Sequence, residues 1–455
     1  MKSTGRLLVV VATVVVLAWA ALRMGPLGGE GRGRDEARAA LRASEPPSWV
    51  LVTSRPPEVR TTLEAAAARA WSYIEAHYQA GTGLVGTVPN YPVATLWDIA
   101  STIAAYHAAR DLGLLDAAGY DSRMGRLLAT LESMPLFEGI AFNKAYDTRT
   151  ARMVDREGRA SATGYGWSAL DLGRLLAWLR IVAAREPRFA PAAERIVDRL
   201  DLDAIVARGW LVGGERLRGG TQRFQEGRLG YEQYAARGFA LWGAEAVHAL
   251  DWTRSTRPVA IDGVTLLEDV RPNGCLTAEP FALEGLELGW DDDGFRLAGG
   301  LLAAQRARTD RTGIPTMTGE DASDSPPHYF YYYCVLLDGE AYAVAAHGQR
   351  RAPEGPRTIS TKMAFAWYAL TPNVYTRRVV DAVAPAALDT GWAAGLHETD
   401  RSPAGPTNVN TAAVILEAAL FAAHGRPLLR LARDMHATDE HGTTQRNDRH
   451  SDGRR

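Results

Sequence analysis

Carboxylates set beside glycine and aromatic residues recur at five places in the chain, a combination suited to proton transfer and to holding hydroxylated rings. In Glu226-Gly227-Arg228-Leu229-Gly230-Tyr231-Glu232, two glycines and an arginine between two glutamates describe a tight loop running into a helix. Burial at such a loop raises a carboxyl's proton affinity and suits Glu226 to act as a general acid. Glu232, near the helix start, serves equally well as a partner for the helix dipole. Thr95-Leu96-Trp97-Asp98 and its near copy Ser168-Ala169-Leu170-Asp171 both read [ST]-x-x-[DE] ahead of an apolar helix, the signature of a capping box. Helices that start at a cleft would also let Asp98 and Asp171 bond hydroxyl groups, with Trp97 or Trp167 offering a face for ring stacking.

The third place holds Glu279, Glu284, Glu287, Trp290 and Asp291-Asp292-Asp293. Glu284 and Glu287 share a helix face. The three aspartates lack the later ligands of a calcium-binding loop, so they read as a solvated helix start and no metal site is expected. The fourth runs from Glu320-Asp321 to the aromatic stretch Tyr329-Phe330-Tyr331-Tyr332-Tyr333. In a strand these rings alternate between two faces, so some, Tyr331 among them, are candidates to meet a ligand. The fifth is Gly395-Leu396-His397-Glu398, in which Glu398 is a second candidate acid or base. Nucleotide-binding glycine loops, a nucleophile elbow and a zinc-protease helix motif are all missing from the sequence, and no cofactor is expected.

The elements that must position these groups are mainly amphipathic helices. Helical spacing and stop signals predict about eleven, at Pro57–Gln79, Thr95–Leu112, Arg123–Ser133, Ser168–Arg185, Pro191–Ala207, Tyr231–Leu250, Ala278–Leu288, Asp293–Arg308, Thr361–Leu370, Tyr375–Val383 and Asn408–His424. Some links between them are short. Others carry hairpins around Asp262-Gly263 and Asp338-Gly339, with a weaker one at Ile140–Tyr146 and Thr150–Val154. Short links at one end and elaborated loops at the other predict a mainly α fold, an (α/α) toroid with β-hairpin insertions in the loops that build the cleft.

Of 455 residues, 46% are hydrophobic and 23% charged, enough to bury a large core. A net charge of -2 and no basic stripe exclude a nucleic-acid binder driven by phosphate contacts. Leu7 to Leu22 is apolar apart from Thr13, follows Lys2 and Arg6 and stops at Arg23, so residues 1–24 read as an inner-membrane anchor or a cleaved signal peptide, with the body in the periplasm in either case. Residues 25–47 read as a linker, 48–432 as one toroid domain and 433–455 as a polar disordered tail. Cys275 and Cys334, the two cysteines, either pair in that oxidising compartment or sit as small buried hydrophobes.

TLWDIAS from Thr95, SALDLGRLL from Ser168, EGRLGYEQYAARGFALWG from Glu226, EPFALEGLELGW from Glu279, ISTKMAFAWYAL from Ile359, and GWAAGLHE with NVNTAAVILEAAL from Gly391 onward together resemble the bacterial family of domain of unknown function 3131, over roughly Thr61 to Leu429. That family is similar in turn to the glucoamylase-like β-glucanases and the processing domains of cyclic β-1,2-glucan synthases, which are (α/α)6 toroids. One departure is His397, where relatives lead one to expect tyrosine. The resemblance implies a periplasmic glycoside hydrolase or transglycosylase that takes an envelope polysaccharide or oligosaccharide of the β-glucan type. Such chemistry needs a protonated carboxyl at the leaving oxygen and a second carboxylate as base or nucleophile. Glu226 is the expected acid, with Glu398 or Glu287 as partner. Asp98, Asp171 and Glu232 are expected to hold hydroxyls, and Trp97, Tyr231, Trp290 and Tyr331 to supply platforms. The competing expectation is a glycan-binding scaffold of a polysaccharide assembly system, which needs the aromatics but no proton-holding carboxyl.

Overall fold

The computed structural model describes residues 30–44, 48, 55–272, 274–324, 330–346 and 351–435. The expected anchor at Leu7–Leu22 and the chain beyond residue 435 lie outside the described residues. After α1 (Glu30–Ala43) the chain alternates between an outer and an inner helix: α2 (Pro57–His77) then α3 (Leu96–Asp111), and α4 (Ala117–Ser133) then α5 (Ala169–Arg185). Outer α6 (Ala190–Asp198) and the short α7 (Leu202–Ile205) precede inner α8 (Tyr231–Ala240). Inner α9 (Glu279–Leu283, continued by a π turn over Glu284–Leu288) is followed by outer α10 (Asp292–Thr312), inner α11 (Thr361–Leu370) by outer α12 (Val374–Ala382), and inner α13 (Val409–His424) by a short last helix, Leu428–Met435. Each inner helix packs on the next, α3 on α5, α5 on α8, α8 on α9, α9 on α11 and α11 on α13, and α13 returns to α3 to close a ring of six.

Composition explains which helices went inside. Every residue of α11 is buried, and α13 is buried along almost its whole length. A helix that is apolar all round has no face to offer water and settles in a core. α4 and α6 instead bury one stripe, Met124, Leu127, Leu128 and Leu131 in the first, Ala193, Ile196 and Val197 in the second. One continuous apolar core runs from Ala37 to Ala432. Among its fully buried side chains are Trp167, Trp178 and Trp367, each contributing about 2–3 kcal/mol of transfer free energy.

The two ends of the ring differ. Inner helices pass to the following outer helix through 112–116, 186–189, 289–291 and 371–373, whereas the returns to the next inner helix take 78–95, 134–168, 199–230, 241–278, 313–360 and 383–408. These long returns hold nearly all the strands. Val93–Thr95 pairs with Ala145–Asp147, Gly166–Trp167 with the hairpin Trp210–Leu217/Gly220–Gln225, Glu320–Ala322 with the hairpin Phe330–Leu337/Glu340–Ala346, and Thr358–Ser360 with Gly391–His397, which carries Pro403–Thr407. Each long loop therefore ends at an inner-helix N-terminus, and that end of the ring is where polar side chains collect.

Several expectations need correction. The helix expected over Tyr231–Leu250 stops at Ala240, and the one over Pro191–Ala207 breaks after Asp198. Among the described residues no long outer helix follows α8. The hairpin Thr256–Ile261/Val264–Asp269 lies there instead, and α1 packs on it and on α10. The expected linker thus contains a helix, because Ala37 and Leu41, one turn apart, give it an apolar stripe to bury. The weak third hairpin survives in short form, with a bridge between Tyr146 and Met153 and with Asp147 N donating to Arg152 O and Val154 N to Ala145 O, while the other edge of Ala145–Asp147 pairs with Val93–Thr95. Cys275 and Cys334 form a disulfide with Cα atoms 5.4 Å apart, tying the approach to α9 onto the strand Phe330–Leu337.

Candidate active site

The first turns of the inner helices bring Asp98 (α3), Asp171 (α5), Glu232 (α8), Glu279 (α9), Lys362 (α11) and Asn410 (α13) to the elaborated end of the ring. Asp98 is a complete capping box. Its Oδ2 accepts from Thr95 N at 2.9 Å and Thr95 Oγ1 at 2.8 Å, and from Thr87 Oγ1 at 2.7 Å, while Thr95 Oγ1 accepts from Asp98 N. Burial raises its proton affinity, and these three donors oppose the rise.

Asp171 follows the same motif to a different end. Ser168 caps α5 by accepting from Asp171 N at 3.2 Å and donates to Asp171 Oδ1 at 3.1 Å, but Oδ2 is buried without a hydrogen-bond partner. Glu226 has taken the place at the helix start. Its Oε2 accepts from Ala169 N, the first residue of α5, at 2.6 Å, and its Oε1 is unpartnered. Burial first, then the charge of Glu226, pushes the Asp171 carboxyl up to about 8. Glu226 is also raised by burial, but Lys144 and the Ala169 amide pull against that. Gly230 lets the loop after Glu226 turn sharply at φ 94°, where a Cβ would stand 2.7 Å from Pro280 Cγ.

A second acidic group faces the ring from α9, α11 and the strand Glu320–Ala322. Lys362 Nζ lies 2.8 Å from Glu279 Oε2 and 3.5 Å from Asp321 Oδ1. Asn410 donates to Glu279 Oε1 at 3.1 Å. Burial pushes Asp321 up to about 6 against the pull of Lys362, and Glu320, paired with Arg228, up to about 7. Aromatic rings join the two groups: Trp97 packs on Tyr231 at 5.6 Å, and Arg228 lies 4.6 Å from the Tyr231 ring and 5.1 Å from that of Tyr332. Tyr332 stands opposite Glu320 in strand register, and burial first, then the charge of Glu320, raises the proton affinity of its hydroxyl. Trp97, Arg228, Tyr332 and Asn410 are half-buried and form the solvent side.

Below them, Arg174 closes the centre of the ring. It donates to Ser101 Oγ at 2.7 Å, Asn410 Oδ1 at 3.1 Å and Glu417 Oε1 at 3.0 Å, approaches Glu287 Oε1 at 3.3 Å, and lies 4.7 Å from the Trp97 ring.

The structure thus gathers Trp97, Asp98, Asp171, Glu226 and Tyr231, and sets other expected residues elsewhere. Glu287 is fully buried on the π turn, bonded to Tyr234 and Arg174, and belongs to the floor. Glu398 is gripped by Arg308 through two bonds of 2.8 Å and accepts from Tyr333 at 3.0 Å, a geometry that leaves both of its oxygens engaged. Glu232 turns toward Gln225 and Arg271; burial pushes it up to about 7 against Arg271. Trp290 follows the C-terminal end of α9, opposite Glu279, and stacks on Trp367 at 6.1 Å. Strand parity buries Tyr331 and turns Tyr332 to the site, one residue from the expected position.

Lys144, Arg174, Arg228, Lys362 and Tyr332 had no expected role. Lys362 is the sole charge in the apolar run Ile359–Leu370, and Lys144 is a lone charge among Ala141, Phe142, Ala145 and Tyr146. A charge with no polar face around it is the signal that marked both for burial with a partner. Among the described residues no cluster of side chains fit to hold a metal ion occurs, and no single helix is long and apolar enough to cross a membrane.

The chain belongs to the family described as Protein of unknown function (DUF3131), whose pattern matches residues 65–425. No curated protein matches it. In fold it is similar to a candidate glucoamylase from Bacteroides caccae ATCC 43185, with a TM-score of 0.59 at 16% identity over 82% of this chain and 95% of that one. It is similar also to an endo-β-1,2-glucanase from Chitinophaga pinensis in complex with sophorotriose and glucose, with a TM-score of 0.58 at 13% identity over 82% and 94% of the two chains. For an endo-β-1,2-glucanase from Talaromyces funiculosus with sophorose the values are 0.55, 15%, 84% and 88%. At these identities the likeness is one of fold.

Proposed function

We propose that the protein is a glycoside hydrolase or transglycosylase acting on a β-glucan of the bacterial envelope, exported by its N-terminal apolar segment and working in the periplasm. The observation that carries this reading is the pair of unlike acidic walls at one end of the ring. On one wall the Asp171 carboxyl is buried with one oxygen unpartnered, and burial and the charge of Glu226 push it up to about 8. On the other, Asp321 lies beside the Lys362 cation. The fold shared with β-1,2-glucanases supports the choice of substrate class.

In this reading Asp171 is the general acid in place of Glu226, and Asp321 is the base in place of Glu398 or Glu287. Asp171 passes its proton to the glycosidic oxygen as the bond from that oxygen to the anomeric carbon breaks. Asp321 takes a proton from the water, or in transfer from the acceptor hydroxyl, whose oxygen forms the new bond. Trp97 and Tyr332 supply stacking faces, and Arg228 and Asn410 bond ring hydroxyls.

The test is to incubate the purified protein and its Asp171→Asn variant with linear and cyclic glucans of different linkages, following reducing ends and chain lengths. New reducing ends, or altered lengths without them, that vanish in the variant are the expected outcome. Tight glycan binding with no change in any glycan would favour the scaffold reading, and turnover that persists in Asp171→Asn would remove that residue from the acid's place.

A further inference from the structure

Lys144 lies where the two copies of the capping motif approach each other. Its backbone N–H donates to Gly166 O at 2.8 Å, on the strand that leads into Ser168 and α5. The next residues, Ala145–Asp147, pair with Val93–Thr95, the strand that leads into Asp98 and α3. Asn143 fixes this junction, donating to Ala145 O at 2.7 Å and Val154 O at 3.1 Å and accepting from Tyr165 N at 2.8 Å. The lysine side chain is only 1% exposed, and its Nζ has no hydrogen-bond partner. The rings of Tyr165 and Phe224 lie 6.0 and 5.8 Å from it.

The charged groups facing this ammonium come from every element around it. They are Glu226 after the Gly220–Gln225 strand, Glu215 on Trp210–Leu217, Asp171 on α5, and Arg156 from the loop after Ala145–Asp147, which approaches Glu215 Oε1 at 2.5 Å. Arg156 pairs with Glu215, and the charge of Glu226 is favoured by Lys144 and, after it, by the Ala169 amide, the Ser168 hydroxyl and Arg228; burial lowers the proton affinity of Lys144, and Glu226, Glu215 and Asp171 oppose that fall. Three buried polar atoms without hydrogen-bond partners, Lys144 Nζ, Glu226 Oε1 and Asp171 Oδ2, belong to this one corner.

We propose that Lys144 is a positioning residue for the acid: its ammonium balances the charge of Glu226, so that of the two carboxyls at the start of α5 Asp171 alone carries the proton delivered to substrate. The inference rests on Asp171 being the acid. Burial of two carboxyls at one helix start cannot leave both ionised without a cation. The Ala169 amide and Lys144 both favour charge on Glu226. The Ser168 hydroxyl favours the ionised form of both carboxyls and does not choose between them, so Asp171, which lacks the amide, is left with the proton.

The test compares Lys144→Met and Lys144→Arg in the full protein by two measurements. The first is the pH profile of turnover. Loss of the cation moves the alkaline limb up and lowers kcat about tenfold at neutral pH with KM little changed, and arginine restores both. The second needs no substrate. In difference infrared spectra at neutral pH, Asp171→Asn removes one protonated-carboxyl band, and adding Lys144→Met to that variant creates a new band from Glu226. A Glu226 band already present when Lys144 is intact, or a pH profile unmoved by Lys144→Met, overturns the proposal. A wild-type protein inert toward every glycan would sink the hydrolase reading while the infrared comparison still decides the part played by Lys144. If Lys144→Met does not fold, Glu226→Gln serves: it relieves Asp171 of the neighbouring charge and must move the alkaline limb down, and a limb left in place counts against the proposal.

Discussion

Thr95–Asp98 and Ser168–Asp171 read alike in sequence, begin neighbouring inner helices and follow short strands, yet their carboxylates end in unlike surroundings. At Asp98 the motif closes on itself and a third donor, Thr87, completes it. At Asp171 the reach back to the cap is missing, because Glu226 from another loop occupies the helix start. A carboxylate surrounded by donors is a structural cap. One left with a single donor, buried and placed beside a second carboxyl has a reason to keep its proton. The motif therefore positions the aspartate, and the loop that arrives from elsewhere decides its chemistry.

The widest separation between the two sites is expected in catalysis. Asp171→Asn should lower kcat by about 10³, within the usual span for loss of a positioned acid, without lowering Tm. The matching change at Asp98 should leave kcat within about tenfold, since it removes no proton donor. The alkaline limb of the wild-type profile should fall near pH 8, where Asp171 releases its proton. The sign for stability follows from the same shift. The Asp171 carboxyl is raised from 3.8 unfolded to about 8 folded, so its contribution is fully present below about pH 4 and is lost as pH rises to about 8. Asp171→Asn should flatten that fall in urea denaturation across neutral pH. A steep fall retained in the variant would assign the slope to another buried carboxyl.

Glu398 provides the opposite limit, a carboxylate with its partner fully engaged. Glu398→Gln should cost about 3 kcal/mol, because it leaves the Arg308 guanidinium without its counter-charge. Specific activity of the protein that remains folded should be near wild type. Asp98→Ala comes next at about 2 kcal/mol, for the loss of the cap and the donors stranded around it. Should Glu398→Gln abolish turnover while leaving the denaturation midpoint in place, the division between engaged and disengaged carboxylates would be wrong.

How much of this could be read in the chain depended on whether the signal was local. Apolar periodicity marked most of the ring, and Asp262-Gly263 and Asp338-Gly339 marked two hairpins, both turns using positive φ at each position. The hairpin Trp210–Leu217/Gly220–Gln225 escaped notice because Gly213 and Gly214 interrupt its alternation. Gly214 is required by a distant residue, since a Cβ there would stand 2.0 Å from the Trp167 ring. Trp97, Asp98, Asp171 and Glu226 were legible because helix starts and glycine loops announce themselves. Neither the capture of Glu398 by Arg308 nor the arrival of Glu226 at the Ala169 amide could be, because each joins segments far apart in the chain whose approach only the closed ring determines.

The finest distinction lies in the capping hydroxyls. Ser168 caps α5 and also donates to Asp171 Oδ1, a bond that favours the ionised carboxylate. Ser168→Ala should therefore act twice. Loss of the cap should cost about 1 kcal/mol, and loss of the bond should move the alkaline limb of turnover upward by a fraction of a unit, because Asp171 then holds its proton more tightly. Thr95→Ala, which dismantles the other copy of the motif, should cost at least as much stability and leave that limb where it was. Measured together, the two alanine variants separate a hydroxyl that only builds a helix start from one that also tunes the acid. A limb that shifts equally in both would show the two corners to be electrostatically one.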